Sequence, residues 1–303
     1  MRETLSRLDA PGQPGKTALL TAYFELTKPR IIALLLITTA AAMVMAARGV
    51  PPLALTFWTL LGGALAAGSA GALNCVFDAD IDSLMRRTRT RPIPTGTISS
   101  LDATIFAAIL GIASFAILYF LANPLAAWLS LCGNVYYVAI YTMWLKRRTP
   151  LNIVIGGAAG AVPPLVGWAA VTGTIGGPAL GLFALIFLWT PPHFWSLALI
   201  AETDYDKAKI PMLPNVSGEH RTKIEIVWYT VILVIASLAL YPMHVMGVIY
   251  FGAAAVLGTI FLIDAIRTLR DPAQVWARTT FRFSLLYLAL MCAAMVVDRI
   301  FLA

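Results

Sequence analysis

Charge and cysteine are what this sequence has little of. Only 12% of its 303 residues are charged, against about 25% in an ordinary soluble domain. Too few side chains remain to wet the surface of a soluble fold this size. Cys75, Cys132 and Cys292 are odd in number and far apart, which excludes a disulfide-stapled secreted framework. No apolar core of a cleavable leader precedes Ile31, so the reading carries no signal peptide. What abounds is apolar, 59% of the chain, and that excludes disorder. The composition is that of an integral membrane protein.

A helix needs about 20 apolar residues to cross the hydrocarbon core. Uncharged runs are Ile31–Ala47, Leu53–Leu73, Ala103–Leu121, Leu125–Leu145, Ile153–Val171, Ala179–Ala201, Ile226–Tyr241, Val245–Ile263 and Phe283–Val297, the last being the shortest. They are continuous rather than alternating, which argues against a β-barrel. A helical bundle is the other way to satisfy backbone polar groups in lipid. The expected fold is therefore all-α, with nine transmembrane helices around a central cavity. Residues 1–30 form an N-terminal tail, and 31–303 a single domain.

Cations set the orientation. Of the 22 Lys and Arg, only Arg48 and Arg299 fall outside the tail and the loops after the even-numbered spans. The positive-inside rule puts the N-terminus in the cytoplasm and the C-terminus outside. The net charge of +7 reflects this topogenic bias and calls for no nucleic acid.

Acids are more informative, because topology does not require them. Asn74, Asp78 and Asp82 recur every four residues where the second span ends, with Asp80 between them. A continuing helix stacks the three on one face. Bare carboxylates at that spacing repel, and a divalent cation resolves the conflict. Mg²⁺ takes oxygen ligands, commonly one or two carboxylates plus substrate phosphates. The segment Arg86-Arg-Thr-Arg-Thr-Arg91-Pro-Ile-Pro follows. A second cluster, Glu202, Asp204 and Asp206, ends the sixth span. Its position suggests four-helix pseudo-repeats, 31–145 and 153–263, plus a ninth helix, with the acid motifs facing one another at the cytoplasmic mouth. Carboxylates holding metal, with Arg and Lys taking remaining phosphate charge, read as a Mg²⁺-diphosphate site above an apolar interior. Solvated loop carboxylates are the plainer alternative.

The run Asn74-x₃-Asp78-x₃-Asp82 with Arg87-Thr-Arg-Thr-Arg-Pro-Ile-Pro-Thr-Gly96 resembles the signature of the intramembrane aromatic prenyltransferase superfamily. Leu26-Thr-Lys-Pro-Arg30, Leu145 to Asn152, Thr190-Pro-Pro-His-Phe-Trp195 and Ile210-Pro-Met-Leu-Pro214 resemble its haem branch, the protohaem IX farnesyltransferases. The resemblance covers about residues 26–220. It implies a Mg²⁺-dependent bundle in a bacterial cytoplasmic membrane. The activity implied is transfer of farnesyl from farnesyl diphosphate to a vinyl carbon of haem b, with water addition. Terminal-oxidase assembly and a downstream haem-modifying enzyme are the implied partners.

Carried over residue by residue, Asn74, Asp78 and Asp82 match the first metal motif. Asp204 matches the second, with Asp206 and Glu202 as weaker matches. Arg89, Arg91, Lys146 and Arg147 match the basic diphosphate contacts. The superfamily often places Tyr four residues before the loop Lys. Here Tyr141 precedes Lys146 by five, which leaves its role open.

His193 is the one histidine within an expected span, and ionisable groups at that depth face the bundle interior. It either ligates haem iron, bonds a propionate, or is a structural group bonded to a neighbouring helix beside Pro191-Pro192. Gly156, Gly157 and Gly160 suit close helix packing. Two other readings remain: a sister enzyme acting on a hydroxybenzoate, naphthoate or chlorin, and a transporter for an anionic metabolite.

Overall fold

A computed structural model describes residues 15–301; Arg2 and Arg7 of the expected tail lie outside them. Among the described residues, nine helical segments are long and apolar enough to cross a membrane. They are α2 (Pro29–Ala47), α3 (Leu53–Phe77), α5 (Ser100–Leu121), the segment opened by α6 (Pro124–Val135), α7 (Asn152–Thr172), α8 (Gly177–Ile200), α11 (Glu219–Ala239), α12 (Val248–Arg270) and α13 (Val275–Phe301). The short helices are α1 (Lys16–Leu26), α4 (Ala79–Leu84), α9 (Glu202–Lys207) and α10 (Leu213–Ser217).

Each span packs on the next in chain order, and α13 returns to α2, closing a ring; α2 also meets α7, and α8 meets α13. At the α2–α7 contact a Cβ on Gly167 would lie 2.3 Å from the Thr39 carbonyl oxygen, so only glycine lets those backbones approach. The ninth span is longer than its uncharged run. Arg278, Arg282 and Arg299 continue the helix at its two ends, since long cationic side chains can reach the interface.

The cation-rich loops gather at one end. Lys28 bonds Asn74, Lys146 bonds Asp78, Arg86 and Arg87 meet Asp204, and Lys223 donates to the Asp271 carbonyl. Part of the expected tail, Lys16–Leu26, is a docked helix. On α1, Ala22 and Leu26 bury against Ala72, Cys75 and Ala103, while Leu20 and Phe24 stay exposed.

Two spans end alike. α3 breaks at Asp78 (φ −97°, ψ 3°) before α4, and α8 breaks at Ala201 (φ −108°, ψ 19°) before α9. Each joint is a single residue followed by a six-residue helix.

Candidate active site

The acid stripe survives the joint because main-chain bonding does. Asp78 N–H donates to Asn74 O at 2.9 Å and Asp82 N–H to Asp78 O at 2.8 Å, so four-residue spacing still selects one face. All three side chains are buried, with Asp78 fully so. The Asn74 amide donates to Asp78 Oδ2 at 2.8 Å and to Thr142 Oγ1 at 3.0 Å. Lys146 Nζ meets Asp78 Oδ2 at 2.6 Å, and Arg91 Nη1 meets Asp82 Oδ2 at 2.6 Å. Asp78 Oδ1 is buried and has no hydrogen-bond partner.

Lys146 reaches Asp78 through an irregular helix. After α6 the fourth span becomes a π-helix, Tyr136–Trp144, and then a 3₁₀ turn, Leu145–Arg147. Thr142 Oγ1 accordingly donates five residues back, to Tyr137 O at 2.9 Å. A π-helix bonds at i→i+5. Tyr141 then fits over Gly156, where a Cβ would stand 2.2 Å from the ring. Gly157 is close against Thr190, where a Cβ would stand 2.9 Å from the side chain, whereas Gly160 faces open space and contributes nothing to that packing.

Arg147 turns the other way. Its guanidinium grips Asp80 with two bonds of 2.7 Å and also donates to Phe77 O at 2.6 Å. Bonding to Arg147 holds the Asp80 carboxyl below its ordinary value. Asp80 points away from the stripe, and Arg147 ties the end of α3 to α4 there.

Asp204 is buried beneath the loop that follows α4. Its two oxygens accept the main-chain N–H groups of Arg86 and Arg87, each at 3.3 Å. Thr88 is buried in the same loop and donates to Asp82 O at 3.1 Å. The Arg86, Arg87 and Arg89 side chains are exposed. Asp206 is exposed as well. Glu202 is half-buried, and burial, reinforced by Glu219 and Asp206, raises its carboxyl.

Lys28 received no role from spacing, though it stands in a stretch carrying the resemblance. Its backbone is left-handed (φ 59°) directly before Pro29, a position where a proline disfavours the α region. That bend turns its ammonium onto Asn74 Oδ1. Burial lowers the Lys28 pKa, with the charge of Arg91 acting in the same direction and Cys75, Asp78 and Asp82 opposing it.

His193 sits apart from these groups, on α8, which runs unbroken through Pro191 and Pro192. Its ring stacks between Trp189 (4.3 Å) and Phe281 (4.8 Å). Nδ1 lies 2.6 Å from Ser284 Oγ on α13. The Ser284 hydroxyl also lies 2.7 Å from Phe281 O, and its single proton goes either to that carbonyl or to the ring, a choice that sets the tautomer.

Among the described residues no three acids, histidines or cysteines converge as a ready-made metal cluster. Two carboxylates and an amide, one oxygen of them bare, still suit a Mg²⁺ that phosphate helps to coordinate.

The model of the UbiA prenyltransferase family matches residues 35–296. A protoheme IX farnesyltransferase of Gloeobacter violaceus is 53% identical over 304 residues, covering 100% of this chain and 99% of that one. One of Synechocystis sp. is 52% identical, covering 93% and 90%. Among solved structures, digeranylgeranylglyceryl phosphate synthase superposes with a TM-score of 0.77 at 20% identity, over 93% of this chain and 99% of that one. A UbiA homologue from Archaeoglobus fulgidus bound to DMAPP and Mg²⁺ gives 0.64 at 18%, over 91% and 99%. A nine-span ring with a buried acid stripe at its cation-rich end, joined to identity of this extent, places the chain in the UbiA prenyltransferase family.

Proposed function

We propose that this chain transfers farnesyl from farnesyl diphosphate to a vinyl carbon of haem b and adds water, giving haem O and diphosphate. The observation that carries the diphosphate half is the bare, buried Asp78 Oδ1 beside Asp82 within a collar of Lys28, Arg91 and Lys146. The names of relatives half identical over nearly the whole chain support the haem half.

Asn74, Asp78 and Asp82 would hold Mg²⁺, with Asp204 and Asp206 as the second motif's candidates. Bound there, Mg²⁺ supplies charge neutralisation at diphosphate oxygens as the allylic C–O bond breaks. Lys28, Lys146, Arg89 and Arg91 donate to the remaining oxygens, and such preplaced donors are worth about 10²–10³ in rate each. Lys146 and Arg91 now hold Asp78 and Asp82, so the carboxylates keep them aimed before diphosphate arrives. Asp204 shapes the loop that carries Arg89 and Arg91, and Arg147 sets the angle of α4. The attacking vinyl is a π-nucleophile and needs no strong base.

The tautomer of His193 selects between its possible haem contacts. A lone pair on Nε2 suits iron, and a proton there suits an ionised propionate.

Five cation-rich segments at one end support a cytoplasmic N-terminus in the inner membrane of a bacterium. The matched joints at Asp78 and Ala201 support pseudo-repeats 31–145 and 153–263 within one domain, 31–303. The copy is not in register: Tyr205, four residues past Ala201, stands where Asp82 stands past Asp78.

The test is mass spectrometry of haem after incubating the purified protein with haem b, farnesyl diphosphate and Mg²⁺, with and without a chelator. Hydroxyethylfarnesyl haem formed only with metal is expected. Prenylation of an aromatic acid instead would overturn the haem assignment, and no prenylation of any acceptor would overturn the whole reading.

A further inference from the structure

The acid stripe and its collar occupy one end of the bundle, and the other end has a cavity of its own. It measures about 310 Å³ and is lined by Tyr241, Pro242, His244 and Val245 of the turn before α12, with Asp298 and Arg299 from the last turns of α13. Ligand pockets run from roughly 300 to 1,000 Å³, so the volume is enough for a small polar group.

Asp298 does not serve this cavity. It is buried, and its two oxygens accept the main-chain N–H groups of Gly247, at 2.5 Å, and Tyr250, at 3.0 Å. There it holds the first turn of α12, whose positive end suits a carboxylate. Arg299 is left without an acid. Among the described residues it forms no ion pair, and its Nε is buried with no hydrogen-bond partner.

A second cation stands nearby. Of the 22 Lys and Arg, only Arg48 and Arg299 fall outside the tail and the loops at the acid end. Nine alternating spans bring the ends of α2 and α13 to the same side, and the two helices pack together. Arg48 directly follows α2, and its charge acts on Arg299. Topology disfavours cations on this side. The negative end of each helix dipole accounts for one cation apiece, but not for a buried, unpaired Nε beside a cavity. A phosphate removes that cost, because the arginine fork bonds two of its oxygens at once. His244 and Tyr241 can each donate one bond more.

The surroundings of the cavity suit a lipid. Met243, Val248 and Ile249 on one side, and Ile300 and Phe301 on the other, are apolar and exposed, where the spans leave the hydrocarbon layer. We propose that this cavity binds the phosphate of a membrane lipid, with Arg299 as the main donor and Arg48 supplying the second charge. The acyl chains then lie along the flanking apolar residues. Such a lipid ties α13 and the turn before α12 to α2, where the ring of spans closes. The proposal is independent of the reaction that the other end carries out.

Hydrogen exchange reads this turn locally, apart from the cations at the acid end. Dioctanoyl phosphatidylglycerol, added to the purified protein in detergent at about ten times its Kd, should slow exchange across residues 240–247 about tenfold, since it binds only the closed turn. Arg299→Gln should lose most of that slowing, whereas Arg270→Gln, at the acid-stripe end of α12, should keep it. No slowing in wild type, or full slowing in Arg299→Gln, overturns the site. Equal slowing by dioctanoylglycerol, which has no phosphate, or by inorganic phosphate alone overturns the assignment to a phospholipid. Should Arg299→Gln fail to fold, a cryo-electron microscopy map of wild type in phosphatidylglycerol nanodiscs decides. Headgroup density within hydrogen-bond distance of Arg299 is expected, and an empty cavity overturns the proposal.

Discussion

Asp204 lies under the loop between α4 and α5 and receives the main-chain N–H groups of Arg86 and Arg87, each at 3.3 Å. The acid of the second motif thus shapes the segment following the first. The contact spans 117 residues to Arg87, and it couples the two halves of the chain at the site itself.

Asp204→Ala should therefore disorder the arginine loop as well as remove a carboxylate. Misplacing groups that aim a substrate costs on the order of 10²-fold in rate. A fall of that size in kcat/KM for the prenyl diphosphate, with unfolding temperature nearly kept, is the expected result of steady-state assays. Unchanged kinetics would separate the loop from diphosphate use.

Asp78→Asn keeps the volume of the side chain, removes the charge facing Lys146, and replaces one carboxylate oxygen with an amide nitrogen. Turnover should fall by at least about 10³-fold, while the variant still inserts and folds. Chelation of the wild type should give the same loss, reversed by added Mg²⁺. Measured prenyl transfer that survives both treatments would remove Asp78 from the metal site.

His193→Ala should alter the absorption spectrum of bound haem. Ser284→Ala tests what orients the ring, because it removes the hydroxyl bonded to Nδ1. Losing a partner that orients a ligating histidine costs about 10–100-fold in affinity. Haem titration should show a weakening in that range for Ser284→Ala, with packing kept. An unaltered spectrum in His193→Ala would return the residue to a structural role.

Gly156→Ala and Gly160→Ala should differ sharply although four residues apart. The first places a Cβ 2.2 Å from the Tyr141 ring, and the second meets nothing within 4 Å. Overpacking costs about 1–3 kcal/mol, whereas alanine in an open helix position gains up to about 1 kcal/mol over glycine. Thermal unfolding in detergent should show a clear loss for the first variant and none for the second.

Amino-acid order alone determined the span count, the gathering of cations at one end and the acid stripe of Asn74, Asp78 and Asp82. Each follows from local spacing: apolar length against bilayer thickness, charge against topology, and four-residue repeats against helical pitch. Tertiary structure decided the rest. Arg147 and Lys146 are adjacent in sequence, yet a 3₁₀ turn sends one to Asp80 and the other to Asp78. The left-handed bend at Lys28 aims its ammonium at Asn74. The His193 ring is bonded by Ser284, 91 residues away. Glycine spacing placed Gly156 and Gly160 on one helix face, but only Gly156 met a neighbouring ring. These outcomes depend on which groups the ring of helices brings within hydrogen-bond or van der Waals range. Spacing along the chain carries no record of that.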